Sequence, residues 1–122
     1  MSCASMLQTA LTPIGLPVYP NRYTGPDLEY IVTNYSTVPA VHADGIAHAA
    51  RYLIQVHYYL PDKKNPNPIL ERLQKALEAA DCTCPDVFPE MSGGYYEPAK
   101  SHGQHYVLEC EYCDGGIAYG EA

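Results

Sequence analysis

The stretch RYLIQVHYYLPDKKNPNPILERLQKAL, residues 51–77, leaves the chain few folds to choose from. Tyr52, Ile54, Val56, Tyr58 and Leu60 share one parity, and Arg51, Leu53, Gln55, His57 and Tyr59 share the other. One set is wholly apolar or aromatic and the other is mixed, which is the period of a strand with one face on a core. Pro61 cannot donate to a ladder and ends the strand. Asp62, Lys63, Lys64 and Asn65 make a solvated turn, and Pro66 and Pro68 keep the chain extended up to a helix. Asn67 is read as the N-cap, with Pro68 at the first helical position. Ile69, Leu70, Leu73, Ala76, Leu77 and Ala80 then recur at helical spacing, opposite a polar side of Glu71, Arg72, Gln74, Lys75 and Glu78. That stripe is expected to lie on the apolar face of the strand.

The rest of the chain falls in around this unit. Cys3, Met6, Leu7, Ala10 and Leu11 have helical spacing, with Ser2 as cap and Pro13 and Gly15 as stop signals. Leu16–Tyr19 reads as a short strand, Pro20–Pro26 as a loop and Tyr30–Thr37 as a second strand. Residues 38–50 fit either a backward extension of the long strand or a loop, with a turn signal at Asp44-Gly45. Asp86–Glu90 reads as a strand, Gly93, Gly94 and Pro98 interrupt the pattern, and Gln104–Tyr112 is the last strand. The expected fold class is α+β: a mainly antiparallel sheet, with an N-terminal helix and a central helix packed on one face. At 122 residues, the chain is expected to form one domain spanning 1–122.

Composition narrows the function classes. The formal net charge is −7, and Lys63-Lys64 is the sole adjacent basic pair, which argues against free binding to nucleic-acid phosphate. No apolar run is long enough to span a bilayer, and the first fifteen residues lack a basic leader, so neither a membrane partner nor a signal peptide is expected. Tyrosine is lopsided, with twelve against one Phe and no Trp. A ring with one apolar body and one polar tip suits interfaces, so this is read as a hint of assembly.

Cys82, Cys84, Cys110 and Cys113 are the single zinc-like set, but the first pair has a one-residue spacer. In a straight strand, Cys110 and Cys113 also point to opposite faces. Buried packing thiols are the expected reading, with no metal or other cofactor. His102 and His105 with Cys110 lack a nucleophile signature, and His42, His48 and His57 form no HExxH. Glu109 and Glu111 read as a solvated acidic face. No enzyme is expected, and no catalytic or cofactor-binding residue is assigned.

The order of pieces nevertheless resembles a family. The run Leu16-Pro17-Val18-Tyr19, then Tyr30-Ile31-Val32, Ala43-Asp44-Gly45, Arg51-Tyr52-Leu53-Ile54-Gln55-Val56 with Tyr58, and Pro66 to Leu77 resembles the tail completion, or tail terminator, proteins of long-tailed bacteriophages and related head–tail joining proteins. The resemblance covers roughly residues 13–112, closing with Tyr106–Tyr112. It implies a subunit of a ring, usually a hexamer, on the head-proximal end of the tail tube. Such a ring stops tube polymerisation and meets the head connector. Its partners would be further copies of itself, the tail tube protein, the connector proteins, and genome DNA passing through without specific binding. Its place would be the virion. The same pattern fits a connector (stopper or adaptor) ring, and a zinc-binding module on the four cysteines is the remaining alternative. For a ring subunit, the interface is expected on the mixed face of the long strand at Arg51, Gln55, His57 and Tyr59. The channel is expected to be acidic, with Glu109 and Glu111 or Asp27 and Glu29 as candidate lining groups.

Overall fold

The computed structural model describes residues 2–43, 46–90, 95–96 and 101–114, with side chains for 2–38, 51–90 and 103–113. Helix α1 (Cys3–Leu11) is capped by Ser2, whose hydroxyl accepts the Ser5 N–H. It runs into a 3-10 turn (Thr12–Ile14), which Gly15 ends at a φ of 87°, a left-handed conformation that suits glycine. There follow β1 (Val18–Pro20), β2 (Tyr30–Ala43), β3 (Ile46–Leu60), α2 (Asn67–Ala79) and β4 (Asp86–Pro89). The short β5 (Tyr95–Tyr96) and β6 (Ser101–His102) pair with one another, and β7 (Gln104–Asp114) completes the order. The main sheet runs β1-β2-β3-β7-β4, antiparallel except for the parallel β1–β2 pair. The fold is α+β, as the patterning predicts.

Residues 38–50 resolve in favour of the strand. β2 and β3 form a long hairpin pairing as far as Ala43↔Ile46, with a register irregularity after Pro39. Pro39 has no N–H for the ladder, so a bulge there is expected. Asp44 and Gly45 lie outside the described residues, as do Gly93, Gly94 and Pro98.

Both helices pack on one face of the sheet. Ile31, Ile54, Val56, Tyr58, Leu60, Leu108, Cys110 and Tyr112 meet Cys3, Met6, Leu7 and Leu11 of α1 and Leu70, Leu73 and Leu77 of α2 in one core. The even-numbered face of β3 is therefore the buried one, as expected from its parity.

The start of α2 differs from expectation. Pro66, not Asn67, is the N-cap and makes no side-chain cap bond, while Asn67 opens the helix and Pro68 follows. The reason is Asn65: its side-chain carbonyl accepts the Asn67 N–H at 3.1 Å, an Asx-type turn that does the capping one step early. At the other end, Cys82 donates to the Leu77 carbonyl (3.0 Å) and Asp81 to that of Glu78 (3.1 Å), a Schellman pair around Asp81 at φ 68°. The buried Cys82 then packs beside the end of the helix it terminates.

Two polar anchors fix the elements around the sheet. Gln104 donates to the carbonyls of Pro61 (3.0 Å) and Lys64 (2.7 Å), tying the turn after β3 to the start of β7. The Tyr58 hydroxyl, at the floor of the core, donates to Glu29, which also receives Lys64. Gly103 is needed beside this anchor, because a Cβ there would stand 2.8 Å from the Leu60 carbonyl oxygen.

Candidate functional site

The sheet face opposite the helices carries the chemistry. Strand register aligns its side chains in rows across β2, β3 and β7: Tyr30–Tyr59–His105, then Val32–His57–Val107, then Asn34–Gln55–Glu109. β4 extends the second and third rows with Phe88 and Asp86, and β1 adds Tyr19 beside Val32. Tyr19, Leu53 and Phe88 on this face are 48, 40 and 45% exposed; on the helix side Tyr35, opposite Ile54, is exposed as well, at 43%.

One end of the face is a run of rings. Tyr19, Tyr23, Tyr30, Tyr59 and His105 follow one another at centroid separations of 5.0, 4.5, 4.8 and 4.1 Å. Tyr30, Tyr59 and His105 are near-parallel, tilted by 18° and 14°. Such contacts add about 0.5–1.5 kcal/mol each beyond the area they bury. They hold Tyr59 between two neighbours; Val32 and Val107, in the next row, are 6 and 4% exposed.

His57 is the hub of the polar part. Its Nδ1 lies 2.8 Å from His105 Nε2, and its Nε2 lies 3.2 Å from both Gln55 Oε1 and Asn34 Nδ2. The Gln55 amide nitrogen donates to Glu109 at 2.8 Å. With its proton on Nε2, His57 donates to Gln55 Oε1 and its Nδ1 accepts from His105 Nε2–H; with its proton on Nδ1, Nε2 accepts from Asn34 Nδ2 and Nδ1 donates to His105 Nε2. Burial pulls the His57 pKa below the usual imidazole value, against the opposing pull of Glu90 and Glu109. Burial and the charge of His57 do the same to His105, against Glu90.

All four residues expected at an interface, Arg51, Gln55, His57 and Tyr59, stand on this helix-free face and are half-buried by their neighbours. Arg51 Nε lies 3.5 Å from Glu111 Oε1. The sequence reading missed Asn34, His105 and Glu90 as members of the same cluster. A signal existed for His105, since its parity on β7 differs from that of the apolar set, but nothing local aligned it with His57.

The other expected groupings separate. Cys82 and Cys110 are buried on the helix side, Cys84 is exposed beyond α2, and Cys113 is on the opposite face. The four therefore do not converge as a zinc module requires, and among the described residues no three His, Cys, Asp or Glu are grouped to hold a metal. The Cys110 thiol is pushed up by its hydrogen bond with Cys82 and by burial, as suits a packing thiol. His105 and Cys110 stand on opposite faces of β7, so they cannot act as base and nucleophile. The side chains of His42, His48 and His102 lie outside the described residues. Glu29 is taken up by Tyr58 and Lys64, whereas Glu109 and Glu111 stand on the helix-free face. A groove of ≈ 690 Å³ between α1 and α2 is lined by Met6, Ala10, Ala76, Ala80 and Tyr112, with Thr9 and Asp81 as its polar members. Among the described residues no helix is long and apolar enough to cross a membrane.

No protein-family model matches the chain, and no curated protein is significantly similar to it.

Proposed function

We propose that this chain is the subunit of a ring-shaped virion protein at the head-proximal end of a bacteriophage tail tube, where it ends tube polymerisation and joins the tail to the head connector. The observation that carries the reading is the helix-free sheet face. Its exposed Tyr19, Leu53 and Phe88, and the ring run from Tyr23 to His105, are an apolar and aromatic surface suited to a protein partner. The order of sequence pieces that resembles tail terminators supplies the kind of partner.

A ring closed by rotation needs two different patches on each subunit. The helix-free face is one. The edge of β2 is the other: β1 pairs with it only from Ile31 to Thr33, and Asn34–Val38 continues past that cover. The neighbouring copy, the tail tube protein and the connector proteins are the partners. Genome DNA passes through without being gripped, because a charge of −7 per subunit opposes phosphate. Glu109 and Glu111 remain candidates for an acidic lining, and Glu29 is withdrawn because it serves the core.

Electron micrographs of particles assembled with and without the protein test this reading. Overlong tails without heads, in its absence, support the terminator role. Normal tails beside filled, unattached heads assign the same ring to the connector. Normally joined particles overturn both.

A further inference from the structure

We propose that Cys82 and Cys110 are a dithiol pair that hydrogen peroxide converts to a disulfide, with the groove between α1 and α2 as the way in. Both thiols belong to the core on the helix side of the sheet, away from the aromatic face. Thr83 donates its N–H to the Glu111 carbonyl at 2.9 Å, and Glu111 donates its own to the Thr83 hydroxyl at 2.9 Å. This double clasp holds the residue after Cys82 against the residue after Cys110. The Cys110 thiol donates to the Cys82 sulfur, and the Cys82 thiol reaches the Met6 thioether at 3.9 Å. The sulfurs thus form a chain from β7, past the end of α2, to α1.

That chain ends at an opening. Met6 lines the groove of ≈ 690 Å³, together with Asp81, which directly precedes Cys82, and Tyr112, which follows Cys110 on the same face of β7. Cys82 and Cys110 are only 8 and 6% exposed, too enclosed for a bulky disulfide reagent. Peroxide is little larger than water and needs only to pass Met6 to meet Cys82.

The two sulfurs have different roles. The nucleophile is a thiolate. The hydrogen bond from Cys110 draws the Cys82 thiol below its usual value, against burial and Asp81, whereas the same bond and burial keep Cys110 protonated. Cys82 therefore attacks one peroxide oxygen. The O–O bond breaks, Cys82 becomes a sulfenic acid, and the departing hydroxide takes a proton to leave as water. The Cys110 sulfur, giving up its proton, then attacks the Cys82 sulfur and displaces the hydroxyl as a second water. Two thiols are oxidised to one disulfide, and one peroxide is reduced to two waters. Exposed Cys84 competes poorly, because its hydrogen bond with Glu78 and that carboxylate's charge push its thiol up. The new bond ties the end of α2 to β7 across the loop that carries β4, a constraint on the unfolded chain.

Treating the purified full chain with a small excess of hydrogen peroxide tests the pair, read by mass and by mapping of proteolytic peptides. The chain should lose two hydrogen atoms, with Cys82 and Cys110 in one cross-linked peptide that a thiol reductant separates. Its melting temperature should rise on oxidation and return on reduction. In Cys110→Ser the reaction should stop at a sulfenic acid on Cys82, captured by a dimedone-type probe, and in Cys82→Ser no sulfenic acid should form at Cys110. Because either variant can misfold, the parent's peptide map decides by itself. Cys82 and Cys110 still reduced after the treatment, whether or not Cys84, Cys113 or Met6 has been oxidised, overturns the proposal. So does a cross-link made through Cys3.

Discussion

Replacing Leu73 by alanine probes the packing of α2 on the sheet. Leu73 lies in the middle of the helix with no exposed surface. The change removes roughly three buried carbon groups, at about 0.8 kcal/mol each, or about 2.4 kcal/mol of transfer free energy. The wall of the hole includes strand residues fixed by their ladders, so it collapses incompletely. An unrelaxed hole of roughly 50 Å³, at about 24 cal/mol per Å³, adds about 1 kcal/mol. The expected loss is thus about 3–4 kcal/mol. Leu53→Ala is the internal control: the residue is on β3 but on the helix-free face, 40% exposed, and its truncation should cost about 1 kcal/mol or less. Urea unfolding followed by far-UV circular dichroism measures both, at a concentration where the parent and variants have equal mass in solution. With a slope of about 1.5 kcal/mol/M, Leu73→Ala should lower the midpoint by about 2 M. A loss under about 1 kcal/mol for Leu73→Ala, or equal losses for the two variants, would refute the assignment of the sheet faces.

Tyr58→Phe removes the buried donor to Glu29 and should cost about 1–3 kcal/mol in the same assay at neutral pH. Burial and Glu29 raise the Tyr58 pKa above its usual 10.0, so the stabilisation is full below that value and is lost as pH rises past it; Tyr58→Phe should flatten this alkaline loss in a pH series of thermal melts. His57 and His105 are both shifted down from 6.5, so the unfolded chain takes up protons first as pH falls. Stability should therefore drop as pH is lowered from about 6.5, and less so in His57→Gln/His105→Gln. Asp81→Gly places glycine at a left-handed helix stop and should raise stability by roughly 0.5–1 kcal/mol. Phe88→Asp, at an exposed position, should leave subunit stability within about 0.5 kcal/mol but abolish self-association measured by sedimentation. Tyr59→Ala should weaken both folding and association, because Tyr59 is stacked between Tyr30 and His105.

What could be read in advance was what local chemistry dictates. The alternation in residues 51–60 fixed which face of β3 is buried, and the Leu70, Leu73 and Leu77 stripe fixed the face of α2. Parity on β7 placed Cys110 and Cys113 on opposite faces. Residues 38–50 stayed ambiguous because Ala47, Ala49 and Ala50 have little strand preference of their own; each strand of the hairpin is held by the other's ladder. The cap of α2 was misplaced by one residue, since Asn65 and Asn67 are both capping types and the Asn65 side chain does the capping from beyond Pro66. The stop at Asp81 carried no glycine to mark it. The His57–His105 pair was illegible for a different reason. The two are separated by 48 residues and meet diagonally across two strands, so only the register, a property of the whole sheet, brings them together.

The central claim is that the helix-free sheet face is an assembly surface, and the mass of the protein in solution tests it most directly. Light scattering on the eluting peak of a sizing column, over a range of concentrations, should give a closed species several times the 13.4 kDa of one chain, about sixfold for the hexamer the resemblance implies. The Phe88→Asp variant should elute as a single chain. A mass of 13.4 kDa for the parent at every concentration would contradict the account, as would an assembly that Phe88→Asp leaves intact.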